Sequence, residues 1–175
     1  MNNALIIYQS TYGTTKKYAQ WLAAELQVSC IEIKDIKAEK LSQYNLVIYG
    51  GSIRAGKISG IATVLKAELK HLVVFTVGLA DPKEVDFKAT MNRSFPKSMS
   101  EPEAVFHFRG GIDYSKLKLG HRMLLQMLKK AVEKKLEKEW TAEEKAIIET
   151  YGKTIDFSQQ EAIQPLVTYV KENYS

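Results

Sequence analysis

Near its N-terminus the chain reads Ala4-Leu5-Ile6-Ile7-Tyr8-Gln9-Ser10-Thr11-Tyr12-Gly13-Thr14-Thr15. Residues 4–9 form an apolar run of strand length, and residues 10–15 combine hydroxyl side chains with a single glycine. From Tyr18 to Leu26 the apolar residues then recur at helical spacing. This order of strand, turn and helix predicts the first βα unit of an alternating α/β domain.

The same alternation continues along the chain. It predicts further strands at 28–33, 46–49, 72–77 and 104–108, and helices at 58–69, 84–91, 115–136, 141–151 and 158–173. Strands that alternate with helices form right-handed βαβ units, whose parallel sheet is covered on both faces. We therefore predict a doubly wound α/β fold with a five-stranded parallel sheet. Residues 1–175 are predicted to form a single domain, with 111–157 as an insertion before the last helix.

Two helix starts carry a capping signal. Thr141 with Glu144, and Ser158 with Glu161, have the spacing of a capping box. These pairs predict where the last two helices begin.

Composition limits the possible functions. The chain has 175 residues, 45% of them hydrophobic, and a formal net charge of +5. No apolar run approaches the roughly 20 residues that cross a bilayer, and Met1–Asn3 lacks the cationic region of a signal peptide. The single cysteine, Cys30, excludes an internal disulfide and is consistent with a reducing compartment. We expect a cytoplasmic protein.

The positive charge is concentrated in residues 115–138. This segment has only two acidic residues, Glu133 and Glu137. Its basic residues are Lys116, Lys118, Arg122, Lys129, Lys130, Lys134, Lys135 and Lys138. Its apolar residues Leu117, Met123, Leu124, Met127, Leu128, Ala131 and Val132 recur at helical spacing.

Two interpretations of residues 115–138 are open. One interpretation is a helix whose apolar stripe packs on the sheet while its lysines stay solvated. The other is a surface that contacts anionic lipid at the inner face of the cell membrane, with leucines and methionines shaping an adaptable pocket. Nucleic acid is not an expected partner, because the segment lacks interleaved aromatic residues.

Two loops are candidates for binding a phosphate. Residues 10–15 place hydroxyl groups and a glycine before a helix N-terminus, where free N–H groups favour anions. Gly51 to Lys57 has the spacing of a nucleotide-binding P-loop, but Ile58 stands where that loop needs Ser or Thr to bind Mg²⁺. The first loop is therefore the stronger candidate, and the second remains an alternative.

The first loop resembles the phosphate loop of the flavodoxin family, which places hydroxyl residues around one glycine directly after strand one. The resemblance implies a sheet of strand order 2-1-3-4-5, FMN as cofactor and a role in electron transfer. It also implies that Ser10, Thr11, Gly13, Thr14 and Thr15 hold the FMN phosphate, with Tyr12 at the apex of the loop.

A narrower resemblance is to the quinone-dependent protoporphyrinogen oxidases of the flavodoxin superfamily. Gly50-Gly51-Ser52-Ile53-Arg54-Ala55-Gly56 is similar to their second flavin loop, Phe75-Thr76-Val77-Gly78-Leu79-Ala80 to the third, and 110–138 to a late basic segment. By this resemblance Ser52, Ile53 and Arg54 border the flavin ring, and Val77, Gly78 and Leu79 contact it from the other side. Arg54 would favour a reduced, anionic flavin.

The narrower resemblance implies oxidation of protoporphyrinogen, a step of haem biosynthesis, with a quinone as electron acceptor. Two alternatives stay open: a flavodoxin-type electron carrier without its own substrate, and a flavodoxin-like binding module without cofactor. Apart from the tuning role of Arg54, no catalytic residue is predicted. His71, His107, His121 and Cys30 share no metal-ligand spacing, so no metal site is expected.

Overall fold

The computed structural model describes residues 3–95 and 101–174. One sheet contains the strands β1 (Ala4–Gln9), β2 (Ser29–Glu32), β3 (Leu46–Arg54), β4 (Lys57–Ile58), β5 (His71–Gly78) and β6 (Ala104–Arg109). Five of them are parallel in the order β2-β1-β3-β5-β6, and β4 pairs antiparallel with the end of β3. The predicted α/β fold and the predicted order of the five parallel strands are confirmed. The short sixth strand was not predicted.

Helices cover both faces of this sheet. The described helices are α1 (Thr14–Leu26), α2 (Ile61–Val64), α3 (Lys88–Ser94), α4 (Leu119–Val132), α5 (Ala142–Thr150) and α6 (Gln164–Tyr174); α1 and α6 pack on one face and α2 on the other. Short 3₁₀ helices occur at Ile33–Asp35, Ala38–Gln43, Tyr114–Lys116, Glu137–Glu139 and Gln160–Ile163. None of the described helices is long and apolar enough to span a membrane.

Alternation along the strands builds two apolar cores, because successive side chains point to opposite faces. Ile6 and Ile48 point to the face covered by α1 and α6, where they pack with Leu22 and Leu166. Their neighbours Leu5, Ile7, Val47 and Tyr49 point to the other face, and pack with Leu41, Ile61 and Val64. Strands buried on both faces explain the nearly continuous apolar runs of the sequence.

The helix predicted over 58–69 is wrong for most of its length. Arg54 and Lys57 pair across a tight turn in which Ala55 and Gly56 have φ of 46° and 70°, as in the two-residue turns of β-hairpins. Gly60, with φ of 77°, precedes α2, which covers only Ile61–Val64. Ile58 is buried in the short strand β4. The stretch with P-loop spacing therefore forms a hairpin and not a loop that leads into a helix, so the P-loop interpretation is not supported.

The two predicted capping boxes have different outcomes. Thr141 and Glu144 form the reciprocal hydrogen bonds at the start of α5. Ser158 caps no helix: its hydroxyl donates to Oδ1 of Asp156 at 2.6 Å. The last helix begins later than predicted, at Gln164, after a 3₁₀ turn.

A second, two-stranded sheet joins the ends of the 111–157 segment. β7 (Gly111–Asp113) pairs antiparallel with β8 (Thr154–Asp156). Helices α4 and α5 lie between these strands in sequence. Both ends of the segment therefore lie beside the carboxyl end of β6.

Candidate functional site

The carboxyl ends of β1, β3, β5 and β6 meet at one edge of the sheet, because these strands are parallel neighbours. The chain goes from β1 to β2 on one side and places β3 on the other side. Such a switch point is where open α/β sheets form a ligand crevice. A cavity of about 370 Å³ lies there.

The cavity brings together residues from all three predicted loops. Its lining includes Ser10, Thr11, Tyr12, Thr14, Thr15, Ser52, Ile53, Arg54, Val77, Gly78 and Leu79. Of the predicted site residues only Gly13 does not line it. Gly13 instead starts α1 with a φ of 97°, and its N–H donates to Oγ of Ser10 at 3.1 Å. Its left-handed backbone forms the turn that aims α1 at the cavity.

The first loop forms the polar end of the cavity. Its hydroxyl groups surround the N-terminus of α1, where the first backbone N–H groups have no partner within the helix. The earliest α-helical bond in this turn runs from the N–H of Lys17 to the carbonyl of Gly13, at 2.9 Å. No Asp or Glu is among the residues that line the cavity. This donor set suits an anion.

Lys17 does not contribute its charge to this anion site. Its ammonium group lies 2.8 Å from Oδ2 of Asp156 and 2.8 Å from Oγ of Ser158. The charge of Lys17 thus holds the C-terminal segment against α1.

The second loop is a hairpin formed by β3 and β4. The carbonyl of Ser52 accepts the N–H of Ser59 at 2.9 Å, and the hydroxyl groups of the two serines are 3.3 Å apart. Arg54, at the end of β3, is exposed and lines the cavity. The hairpin therefore presents Ile53 and a cation at one side of the cavity.

The third loop is held by its neighbour in the sheet. The carbonyl of Gly78 accepts the N–H of Gly110 at 2.6 Å, and the carbonyl of Leu79 accepts Nε of Arg109 at 2.9 Å. A Cβ atom at Gly110 would lie 2.6 Å from Cγ1 of Val77. Glycine is required for this close approach of the two strands.

Sequence reasoning missed one wall of the cavity. The additional lining residues are Ala55, Gly110, Gly111, Ile112, Leu117, His121, Leu124, Leu125 and Leu128. Helix α4 supplies four of them, yet Val132 is its only buried residue. The interpretation that its apolar stripe packs on the sheet is therefore wrong, whereas its leucines do shape a pocket. The apolar periodicity was the available signal for Leu117, Leu124 and Leu128, and no sequence signal pointed to His121.

Helix α4 is attached to the first loop at the apex of that loop. The hydroxyl of Tyr12 contacts Nδ1 of His121, and the backbone N–H of Lys118 donates to the same hydroxyl oxygen at 3.4 Å. These contacts close the cavity between the polar loop and the apolar helix.

A smaller cavity of about 180 Å³ shares Ile53, Gly78 and Leu79 with the first. His107 lines it, contacts the hydroxyl of Thr76 through Nδ1 and stacks on Phe87. Burial lowers the pKa of His107 to about 4, so its imidazole is neutral at physiological pH.

Within residues 3–95 and 101–174, no group of three or more His, Cys, Asp or Glu side chains could hold a metal ion.

Residues 5–139 match the family model described as a flavodoxin domain. The chain belongs to the flavodoxin domain family. The matched range contains the three loops and helix α4, and so every residue that lines the cavity at the carboxyl ends of the strands.

Individual relatives are more distant. A protein of Leishmania major named protoporphyrinogen IX dehydrogenase (quinone) is 32% identical over 142 residues, which cover 72% of this chain and 62% of the relative. The chain thus spans less than two thirds of that relative's length. Among solved structures, oxidised flavodoxin 1 from Bacillus cereus is 21% identical, with a TM-score of 0.38, over 46% of this chain and 63% of its own. The Trp repressor binding protein from Bacillus subtilis is 17% identical, with a TM-score of 0.44, over 61% of this chain and 84% of its own.

Proposed function

We propose that this flavodoxin domain binds FMN in the cavity at the carboxyl ends of the strands and acts as an oxidoreductase. One observation carries the proposal: a single cavity joins a hydroxyl-rich helix N-terminus to an apolar slot between two loops. Its volume of about 370 Å³ lies within the range of cofactor pockets, roughly 300–1,000 Å³.

The polar end fits the phosphate of FMN. Ser10, Thr11, Thr14 and Thr15 offer hydroxyl donors, and the N-terminus of α1 adds N–H groups and its dipole. The absence of carboxylates from the lining removes the group that would repel a phosphate. These residues would hold the cofactor by its charged end.

The apolar end fits a flat ring system. Ile53 lies on the hairpin side, Val77 and Leu79 on the opposite loop, and Leu124 and Leu128 on α4. Their side chains would orient the ring and exclude water from it. FMN, when bound, supplies electron transfer between a reduced donor and an acceptor.

We propose protoporphyrinogen as the electron donor and a quinone as the acceptor. The name of the Leishmania major relative supports this assignment. The leucines that α4 adds to the cavity also support it, because they extend the apolar lining toward an exposed edge. Both partners would meet the cofactor at this edge.

The first experiment is an FMN titration followed by flavin fluorescence. Wild type is compared with Thr11→Glu/Thr14→Glu, which puts two carboxylates into the phosphate end. Like charges in a binding site cost several kcal/mol, so we expect FMN affinity to fall by more than about 100-fold. The variant Thr63→Glu/Thr168→Glu adds the same charge at exposed positions outside the cavity and should bind FMN like wild type. Failure of wild type to bind FMN would contradict the proposal.

The substrate assignment has its own experiment. FMN-loaded protein is mixed with protoporphyrinogen and a quinone, and porphyrin fluorescence is followed. Steady-state turnover supports the proposed reaction. Tight FMN binding without turnover would identify an electron carrier that has no substrate of its own.

A further inference from the structure

Helix α4 uses only part of its apolar surface within the protein. Val132 is buried and Leu125 is half-buried. In contrast, Leu119, Met123 and Met127 are exposed by 74%, 58% and 67%. At about 100° per residue, these three side chains lie within about 80° of one another around the helix. We call them the α4 ridge. No other part of residues 3–95 and 101–174 covers the ridge.

The ridge lies in the most basic stretch of the chain. Residues 114–132 contain Lys116, Lys118, Arg122, Lys129 and Lys130, and no Asp or Glu. Lys116 pairs with Asp113 and Lys129 with Glu133. Lys118, Arg122 and Lys130 are exposed and form no ion pair with the described part of the chain. An apolar ridge is thus flanked by free cations.

We propose that the α4 ridge docks on the surface of an anionic phospholipid bilayer. An amphipathic helix that carries leucine, methionine, Lys and Arg lies in the lipid interface, with its apolar side chains among the acyl chains. In α4, Arg122 lies about 60° from Leu119 around the helix axis, and Lys130 lies on the ridge side about one turn after Met127. The flanking cations match the negative charge of the headgroups. A second copy of the chain fits less well, since it would bring together two clusters of three cations that have no ion-pair partner in the described residues.

The ridge is continuous with the cavity. Leu124 and Leu128 line the cavity and are also exposed by 50% and 40%. Docking would therefore place the edge of the cavity against the lipid, and an apolar electron acceptor such as a quinone could enter from the bilayer. This entry route rests on the proposed function, whereas the docking itself does not.

Vesicle flotation of the full chain tests the docking. Vesicles of phosphatidylcholine alone are compared with vesicles of phosphatidylcholine and phosphatidylglycerol in equal parts. We expect binding to the anionic vesicles only, and weaker binding as salt is raised. The variant Leu119→Gln/Met123→Gln/Met127→Gln changes the ridge but no residue that lines the cavity. It should bind anionic vesicles at least about tenfold more weakly and keep the FMN affinity of wild type.

A pair of charge variants provides the matched control. Lys118→Gln/Arg122→Gln/Lys130→Gln should weaken vesicle binding by about tenfold or more. Lys37→Gln/Lys40→Gln/Lys70→Gln removes the same charge from exposed positions on other elements and should bind like wild type. Equal vesicle binding by wild type and the ridge variant would overturn the proposal. So would sedimentation of wild type as a dimer that the ridge variant converts to a monomer, because the ridge would then belong to a second copy. Neither outcome changes the FMN titration.

Discussion

The hydroxyl of Tyr12 contacts Nδ1 of His121, 109 residues further along the chain. Their rings meet edge to face, with centroids 5.7 Å apart. Tyr12 belongs to the loop after β1, and His121 to the first turn of α4. Because α4 buries only Val132, this contact links the apolar wall of the cavity to its polar end.

Tyr12→Phe should loosen α4. The variant loses a hydrogen bond whose net contribution is about 1 kcal/mol, so we expect faster amide hydrogen exchange in 119–128 and FMN affinity reduced by about two- to tenfold. Hydrogen exchange measures the helix without the cofactor, and fluorescence titration measures the affinity.

A double-mutant cycle provides the control for this contact. If Tyr12 and His121 act together, Tyr12→Phe/His121→Ala should cost little more than either single variant. Fully additive effects on hydrogen exchange would contradict the link between the loop and α4.

Gly13→Ala should destabilise the fold without a steric clash. A Cβ atom at Gly13 would have no neighbour within 4 Å, but the φ of 97° is unfavourable for alanine. We expect the free energy of unfolding to fall by about 1 kcal/mol, measured by urea denaturation. Gly120→Ala is the matched control: its Cβ also has open space, its φ is not positive, and alanine favours a helix. It should not destabilise the protein.

The parts of the site that could be predicted from the sequence are those that local chemistry determines. Hydroxyl groups and a glycine between a strand and a helix are sufficient to place Ser10–Thr15 at a strand end. The strand order then brings Ser52–Arg54 and Val77–Leu79 to the same edge. These segments all line the cavity, with only Gly13 set back from it.

The missed parts depend on contacts that are distant in sequence. Gly110 lines the cavity because it packs against Val77 and Gly78, and His121 because it contacts Tyr12. Apolar periodicity also could not distinguish Ile58 in a buried strand from Ile58 in a helix. The left-handed backbone at Gly56 turns the chain into the hairpin that contains Ile58, and that at Gly60 delays the start of the helix until Ile61.

Arg109 connects the third loop to α5 and the C-terminal segment. Its Nε donates to the carbonyl of Leu79 at 2.9 Å, its Nη2 lies 3.0 Å from Oε2 of Glu149, and its guanidinium stacks 3.7 Å from the ring centre of Phe157. Arg109→Lys cannot make these contacts together. We expect it to lower the free energy of unfolding by about 1–3 kcal/mol and to accelerate FMN dissociation.

Urea denaturation and stopped-flow release of FMN measure the two effects of Arg109→Lys. Arg93→Lys is the matched control, since the Arg93 side chain is exposed and surface substitutions usually change stability by less than about 0.5 kcal/mol. Equal stability of the two variants would show that Arg109 does not hold the loop.

His107 should make the protein less stable in acid. Burial lowers the pKa of its imidazole from 6.5 to about 4 in the folded state, so between these values the unfolded chain binds more protons. The contribution of His107 to the free energy of unfolding is therefore largest above about pH 6.5, and it is lost as the pH falls toward 4. Because the side chain is partly exposed, we expect a loss of only about 1–2 kcal/mol.

Urea denaturation at pH 7.5 and pH 5 tests the contribution of His107. His107→Asn removes the imidazole, so its stability should fall less than that of wild type between the two values. At pH 7.5 the imidazole is neutral in both states, and the comparison there reports packing alone. The same pH dependence in both proteins would assign the acid sensitivity to other groups.

Arg54 should raise the reduction potential of bound FMN. Among the described residues that line the proposed FMN cavity, Arg54 is the only Lys or Arg. A nearby cation stabilises the reduced, negatively charged cofactor. Arg54→Gln should therefore make the potential more negative. For a two-electron couple, each 1.4 kcal/mol corresponds to about 30 mV, and solvent exposure limits the shift to about that size. Reductive titration against a reference dye measures it. Arg54→Lys keeps the charge and should keep most of the potential, whereas a Gln variant with unchanged potential would place the guanidinium too far from the ring to act on it.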